Sequence, residues 1–134
     1  MKTYDVQAIE IEVPGQKAFD LIQNPSRLPD WTSGFASADR SRAVMRTPNG
    51  EVTIELETKA SLAQGTVDWR MTFPDGSVAN AFSRVVPTAD RRCVFTFVLT
   101  PPPVPLEQLE GALEAQSRTL AHELQALKLL LEHE

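Results

Sequence analysis

The stretch that decides the fold is VPGQKAFDLIQNPSRLPDW, residues 13–31. The residues before it alternate between polar and apolar, which predicts a β-strand that ends at Pro14. Three apolar residues then recur at helical spacing and predict a short amphipathic helix: Ala18, Phe19 and Ile22. Asn24-Pro25 stops that helix, and Pro29 limits a second helix to about one turn. The stretch therefore predicts a strand, two short helices and a rigidly placed Trp31.

Length and composition limit the possible classes of protein. The chain has 134 residues, 42% of them hydrophobic and 23% charged, which is typical of one globular domain over residues 1–134 and not of a disordered or fibrous chain. The net charge of -5 and the pI near 5.0 argue against a broad binding surface for nucleic acid. We expect no nucleic-acid partner.

The single cysteine and the first residues indicate the compartment. Cys93 cannot form an intramolecular disulfide or a multi-cysteine metal site, and we interpret it as a small buried hydrophobic residue. The N-terminal residues lack the apolar core of a signal peptide, and no segment reaches the ~18 apolar residues of a membrane span. We expect a cytoplasmic protein without stable membrane insertion.

Residues 43–100 predict about five antiparallel strands. Turn signals lie at Thr47–Gly50 and Pro74–Gly76, with a weaker break at Gln64-Gly65. Two of the strands have bulky inner faces, formed by Val67, Trp69, Met71 and Phe73 and by Cys93, Phe95, Phe97 and Leu99. With the first strand, the sheet has about six strands.

The C-terminal part predicts one long helix. PPPVP, residues 101–105, ends the sheet, and leucines recur at spacings of three, four or seven over Leu106–Leu131. About 26 helical residues extend over roughly 39 Å, enough to cross every strand of a small sheet. Since sheet and helix each bury one face, we predict an α+β fold whose curved sheet wraps around this helix.

This order of elements resembles the helix-grip superfamily of START domains, the birch-pollen allergen fold and bacterial polyketide cyclase/dehydrase-like proteins (SRPBCC). The resemblance covers nearly the whole chain, and VPGQKAFDLIQNPSRLPDW and GTVDWRMTFPDGS carry it best. It implies a cavity between sheet and helix for a lipid, polyketide or other apolar molecule. It implies no universal catalytic residue and no cofactor, so the catalytic residues stay unknown.

Two polar residues interrupt the leucine stripe of the long helix. Gln116 and Ser117 occupy positions where a helix that simply packs on a sheet would carry apolar side chains. We interpret them as candidate ligand contacts. The alternative is that neighbouring backbone or a buried water satisfies them.

Other candidate ligand-binding residues come from the inner faces of the predicted strands and helices. They are Trp31, Trp69, Met71, Phe95, Phe97 and Leu120. Asn80, Phe82 and Arg84 join them if Phe82 points inward, and Arg84 would then hold an anionic ligand group. A shift of one residue turns Ala79, Ala81 and Ser83 inward instead and leaves Arg84 in solvent.

The sequence carries no recognisable catalytic motif. His122 is expected opposite the leucine stripe and His133 in the frayed C-terminal turn, so we predict no metal site. Asp30, Asp68 and Glu123 would serve as acids or bases only if buried, and Asp68 is expected on the solvent face of its strand. There is no phosphate-binding loop and no nucleophile elbow.

We therefore expect a domain that binds a small apolar molecule as a carrier, sensor or sequestering protein. One alternative is an enzyme of the polyketide cyclase or dehydratase type in which Gln116, Arg84 or a bound water polarises a carbonyl. Another is a cavity-poor homodimer formed through Leu129 and Leu130.

Overall fold

The computed structural model describes residues 3–47, 49–100 and 106–134, with side chains from residue 111 onward in the last segment. The seven strands are β1 (Asp5–Ile11), β2 (Phe35–Ala38), β3 (Arg42–Thr47), β4 (Gly50–Ser61), β5 (Thr66–Thr72), β6 (Val78–Ala89) and β7 (Arg92–Leu99). The helices are α1 (Gly15–Ile22), α2 (Leu28–Trp31) and α3 (Leu106–His133), with a 3-10 turn over Pro25–Arg27. The predicted PPPVP connection and the leucine side chains at positions 106 and 109 lie outside the described part.

All strands form one antiparallel sheet in the order β1-β7-β6-β5-β4-β3-β2. The predicted α+β helix-grip architecture is confirmed, with seven strands where about six were predicted. The additional strand is β2, whose four residues pair with β3 across a register shift between Phe35 and Ser37. A strand that short has too few residues for a period of two to be recognised in the sequence.

The prolines of residues 13–31 act as predicted. Pro14 lies directly before α1, whose Ala18, Phe19 and Ile22 are buried. Beyond α1, the Asn24 side chain accepts a hydrogen bond of 3.1 Å from the backbone N–H of Ser26 and starts the 3-10 turn. The single turn α2 follows and buries Trp31.

The break between β4 and β5 depends on Gly65. Its φ of +72° is unfavourable for other residues, and a Cβ there would lie 2.3 Å from the carbonyl oxygen of Val85. The Gly65 carbonyl accepts a 2.7 Å hydrogen bond from the Val85 N–H, so the turn is joined to β6. The weak sequence signal at Gln64-Gly65 therefore marks a close contact between two backbones.

The inner face of the sheet and one stripe of α3 form the core. The α3 residues of this stripe are Leu113, Leu120, Leu124, Leu127 and Leu131. All of them except Leu113 belong to one core cluster with inner-face residues such as Phe95 and Val67, which are fully buried. Helix α3 runs beside β1 and also contacts α2.

The register of β6 corrects one interpretation of the candidate ligand contacts. Ala81, Ser83 and Val85 are buried on the inner face, whereas Asn80, Phe82 and Arg84 lie exposed on the outer face. The Ser83 hydroxyl donates a 2.5 Å hydrogen bond to the Val67 carbonyl, which makes a polar side chain acceptable inside. The inward placement of Asn80, Phe82 and Arg84 is therefore wrong in this structure.

Among the described residues, no helix is both long and apolar enough to cross a membrane.

Candidate functional site

The interior between the sheet and α3 contains a cluster of four aromatic rings. Trp69 stacks on Phe97 with ring centroids 5.8 Å apart, and Trp31 meets the edge of Phe95 at 6.3 Å. The two indoles are themselves 6.5 Å apart. We call Trp31, Trp69, Phe95 and Phe97 the aromatic cluster. These four candidate ligand contacts are thus neighbours, and they fill the centre of the interior.

One end of this interior is less tightly closed. At the end of the sheet where β4 and β6 begin and β5 and β7 finish, six inner-face side chains are half-buried: Phe35, Met45, Val52, Met71, Phe73 and Leu99. We call these six residues the apolar mouth. Helix α3 begins at the same end, because its Ser117 lies beside the first residues of β1. Met71, a predicted ligand contact, belongs to this mouth.

A polar cluster borders the mouth between β1 and α3. Asp5 is 9% exposed and accepts hydrogen bonds from the Ser117 hydroxyl at 2.6 Å and from the Gln7 amide at 2.8 Å. The Gln7 amide also donates to the Ser117 carbonyl at 2.8 Å. Asp5 lies opposite Leu99 of the mouth in the β1–β7 register. A carboxylate is thus held at the rim of an apolar space.

The polar residues predicted on α3 separate in the structure. Gln116 is exposed, while Ser117 is half-buried and bonded within the polar cluster. Leu120 is buried in the α3 stripe. Asp5 and Gln7 are not among the sequence-predicted contacts, because the apolar residues that alternate with them, Tyr4 and Val6, favour the opposite face; both are exposed in the structure. The phase of Ile9 and Ile11, continued back along the strand, places Gln7 and Asp5 inside.

A second carboxylate joins α3 to the segment after α2. Glu123 accepts hydrogen bonds from the Ser33 backbone N–H at 2.7 Å and from the Ser33 hydroxyl at 3.3 Å. A further backbone bond comes from Gly34. Burial raises the pKa of Glu123 above its ordinary value of 4.5, and these hydrogen bonds oppose that shift only in part. Glu123 thus holds the segment that follows Trp31 against the long helix.

The raised pKa of Glu123 predicts a pH dependence of stability. The folded protein binds the proton of the Glu123 carboxyl more tightly than the unfolded chain does. The stabilisation that protonated Glu123 contributes is therefore present below pH 4.5, and it is lost as the pH rises through the folded-state pKa. The free energy of unfolding of the wild type relative to Glu123→Gln should therefore fall between pH 4 and pH 7. Urea denaturation at a series of pH values measures this difference. A difference that rises over the same range would contradict the assignment.

The remaining candidate catalytic or metal-binding residues either lie outside the interior or have a side chain that is unreactive in its surroundings. His122 and His133 are exposed, as predicted. Cys93 is buried, and burial raises the pKa of its thiol, so the thiolate is disfavoured. Asp30 forms an ion pair with Arg27. Within the described residues, no group of His, Cys, Asp and Glu side chains is arranged to hold a metal ion.

Two open surface grooves lie outside the interior. One, of about 600 Å³, runs over the outer face of β3–β5 beside Arg42, Glu57 and Arg70, and the other, of about 420 Å³, lies between α1 and the end of α3. The space between the sheet and α3 is instead occupied by the aromatic cluster and the α3 leucines.

Comparisons with known proteins agree with this geometry. The structure is similar to a START superfamily protein from Mycobacterium smegmatis, with a TM-score of 0.76, 12% identity and coverage of 98% of this chain and 99% of that one. It is also similar to the Zhui aromatase/cyclase from a Streptomyces species, with a TM-score of 0.71, 13% identity and coverage of 96% and 93%. XoxI from Bacillus cereus gives a TM-score of 0.72 at 16% identity, over 97% and 96% of the two chains.

At these identities the similar structures show the fold alone. No curated protein sequence matches the chain. The model of one family, however, matches residues 6–132, which is nearly the entire chain. The chain therefore belongs to the polyketide cyclase/dehydrase and lipid transport family.

Proposed function

We propose that the protein binds a small, largely apolar molecule between its sheet and α3, as a carrier, sensor or sequestering protein. The observation that carries this proposal is the apolar mouth, a group of six half-buried side chains on the inner face of the sheet. Apolar residues that are neither fully buried nor spread singly over the surface are typical of a binding site. The family description, which includes lipid transport, agrees with such a role.

Binding would take place through desolvation of the guest and of the mouth. Each apolar side chain that a guest covers contributes roughly 25 cal/mol per Å² of surface removed from water. Met45 and Met71 are suited to this, since the unbranched thioether adapts to differently shaped partners. The polar cluster of Asp5, Gln7 and Ser117 at the rim can orient a polar group of the guest.

A second candidate function is a reaction of the cyclase or dehydratase type in the same space. The buried Asp5 carboxylate beside Leu99 favours it, because this acidic group lies at the rim of an apolar space where a reactive chain could be held. The roles considered for Gln116 and Arg84 are not supported, since both residues are exposed on surfaces outside the interior.

Native mass spectrometry of protein purified from its own host tests the binding proposal. We expect a co-purifying apolar molecule of defined mass that is released unchanged on denaturation. Chemical conversion of that molecule during incubation would instead support the enzyme. A protein that carries no such molecule, and that binds no added apolar compound, would overturn both.

A matched pair of variants locates the site. Met71 lies in the mouth, and Arg70, the preceding residue of β5, is exposed on the outer face. Met71→Gln should lower the bound fraction several-fold, because a polar amide replaces an apolar contact surface. Arg70→Gln should leave the bound fraction unchanged. The reverse order would place the molecule on the outer face of the sheet.

A further inference from the structure

Three buried polar atoms of the interior have no hydrogen-bond partner among the described residues. The indole nitrogens of Trp31 and Trp69 and the hydroxyl of Thr58 are shielded from solvent, and none of them makes a hydrogen bond to a described residue. Trp31 is 4% exposed and Trp69 5%. Buried polar groups in folded proteins nearly always have a partner, so three exceptions in one region require an explanation.

The three atoms belong to neighbouring side chains. Trp69 lies directly opposite Thr58 in the β4–β5 register, and its ring is 6.5 Å from that of Trp31. Trp31 and Trp69 belong to the core cluster, Thr58 follows Leu56 on the inner face of β4, and the mouth residue Met71 follows Trp69 on the inner face of β5. A molecule that contacts the Trp69 indole therefore lies close to the other two side chains.

The chemistry of these groups determines which ligand atom they can bind. An indole N–H is only a donor, and the threonine hydroxyl can donate as well. The matching atom is an acceptor with more than one lone pair, which an oxygen provides. A hydrocarbon would leave the donors unsatisfied, and a ligand donor group would face two N–H groups that cannot accept.

The charged residues around the three polar atoms further restrict the class of ligand. Asp5 on β1 and Glu123 on α3 are carboxylates near this interior, while Arg84 and Arg70 are exposed on the outer face of the sheet. The ammonium of Lys128 on α3 is already bonded to Glu132 and to the Glu10 carbonyl. No inward-facing arginine or lysine occurs in β1–β7 of the described structure. An anionic oxygen would thus be desolvated without a counter-charge, which is strongly unfavourable. A neutral carbonyl oxygen avoids that cost.

We propose that Trp31, Trp69 and Thr58 form a donor site that selects guests with a neutral carbonyl oxygen, such as aromatic ketones and quinones. This inference rests on the proposed binding function and specifies its ligand class. The donors become satisfied only when the carbonyl lies within the aromatic cluster. The two indoles would thus contribute hydrogen bonds as well as apolar surface.

One competing arrangement needs no ligand. An indole N–H can point at the face of a neighbouring aromatic ring, and Trp31 and Phe95 do meet edge to face, at an interplanar angle of 86°. Such a contact would shift the indole proton upfield through the ring current. A carbonyl hydrogen bond would shift it downfield, so the two arrangements differ in the sign of one measured quantity.

The experiment uses two naphthalenes of similar shape, 2-acetylnaphthalene and 2-isopropylnaphthalene, of which only the first has a carbonyl. Titration calorimetry gives both affinities, and ¹H–¹⁵N spectra follow the indole resonances, of which the chain's two tryptophans contribute one each. We expect the ketone to bind at least threefold more tightly and to move both indole protons downfield. Trp69→Phe and Thr58→Val should each weaken ketone binding about threefold to tenfold and leave the hydrocarbon unaffected.

The outcomes separate the two proposals. If neither compound binds, the inference is refuted, and the proposed function fails with it when no apolar molecule co-purifies either. If both bind with equal affinity, and the variants affect both equally, the apolar site stands and the donor site is refuted. Indole protons that stay upfield in the ketone complex would refute the donor site as well.

Discussion

Replacing Phe95 with alanine is expected to lower the free energy of unfolding by about 3–5 kcal/mol. The Phe95 side chain is 0% exposed and contacts both Trp31 and Phe97, so its removal leaves a cavity in the aromatic cluster. Domains of this size are stable by only about 5–15 kcal/mol, so the loss is a large share of the total. Urea denaturation followed by circular dichroism measures it.

Phe82→Ala is the matched control for this change. Phe82 is 44% exposed on the outer face of β6, and its loss should cost no more than about 1 kcal/mol, since no core contact is removed. A large effect of Phe82→Ala together with a small effect of Phe95→Ala would mean that the sheet faces are assigned the wrong way round.

Replacing Leu127 with alanine should destabilise the protein by about 2–5 kcal/mol. Leu127 is 0% exposed in the stripe of α3 that faces the sheet, whereas Leu129, two residues on, is 56% exposed. Because two residues turn a helix by about 200°, these leucines face opposite sides. Leu129→Ala should therefore change the free energy of unfolding by about 0.5 kcal/mol or less.

The same pair of variants tests the homodimer alternative. If Leu129 and the half-buried Leu130 formed a subunit interface, Leu129→Ala would shift the sedimentation coefficient toward the monomer and make stability dependent on concentration. We expect no such shift. Equal destabilisation by Leu127→Ala and Leu129→Ala would contradict the orientation of α3.

The sequence was sufficient for the architecture because its strongest signals are local. The prolines of residues 13–31 lie at the starts of α1, of the 3-10 turn and of α2, and the leucine spacing of α3 fixes the side that faces the sheet. Alternation likewise placed Trp69, Phe95 and Phe97 inside together. These predictions need only the repeat of side-chain direction that backbone geometry imposes, which is 3.6 residues in a helix and 2 residues in a strand.

The site was less predictable because it depends on contacts between distant segments. The phase of β6 could not be derived, since the turn at Pro74–Gly76 permits two registers and Phe82 is as apolar as Ala81 or Val85. The register that turns Ser83 inward is acceptable because the Ser83 hydroxyl donates a hydrogen bond to the Val67 carbonyl. These two residues are 16 positions apart in the sequence. The polar cluster joins Asp5 to Ser117 across 112 residues. No local pattern contains such information.

The packing of the interior also could not be inferred from the sequence. The resemblance to helix-grip proteins implies a cavity between sheet and helix; among the described residues, the aromatic cluster lies in the centre of that space and the mouth residues are half-buried. Ring size and rotamer decide this, and both depend on neighbours from other strands.

An isotope-filtered NOE spectrum of the protein with 2-acetylnaphthalene tests the central claim, a guest between sheet and helix, most directly. We expect contacts from the ligand protons to the methyl groups of Met71, Met45 and Leu99 and to the Trp69 ring. Contacts confined to outer-face residues such as Phe82 and Val94, with none to the mouth, would contradict it.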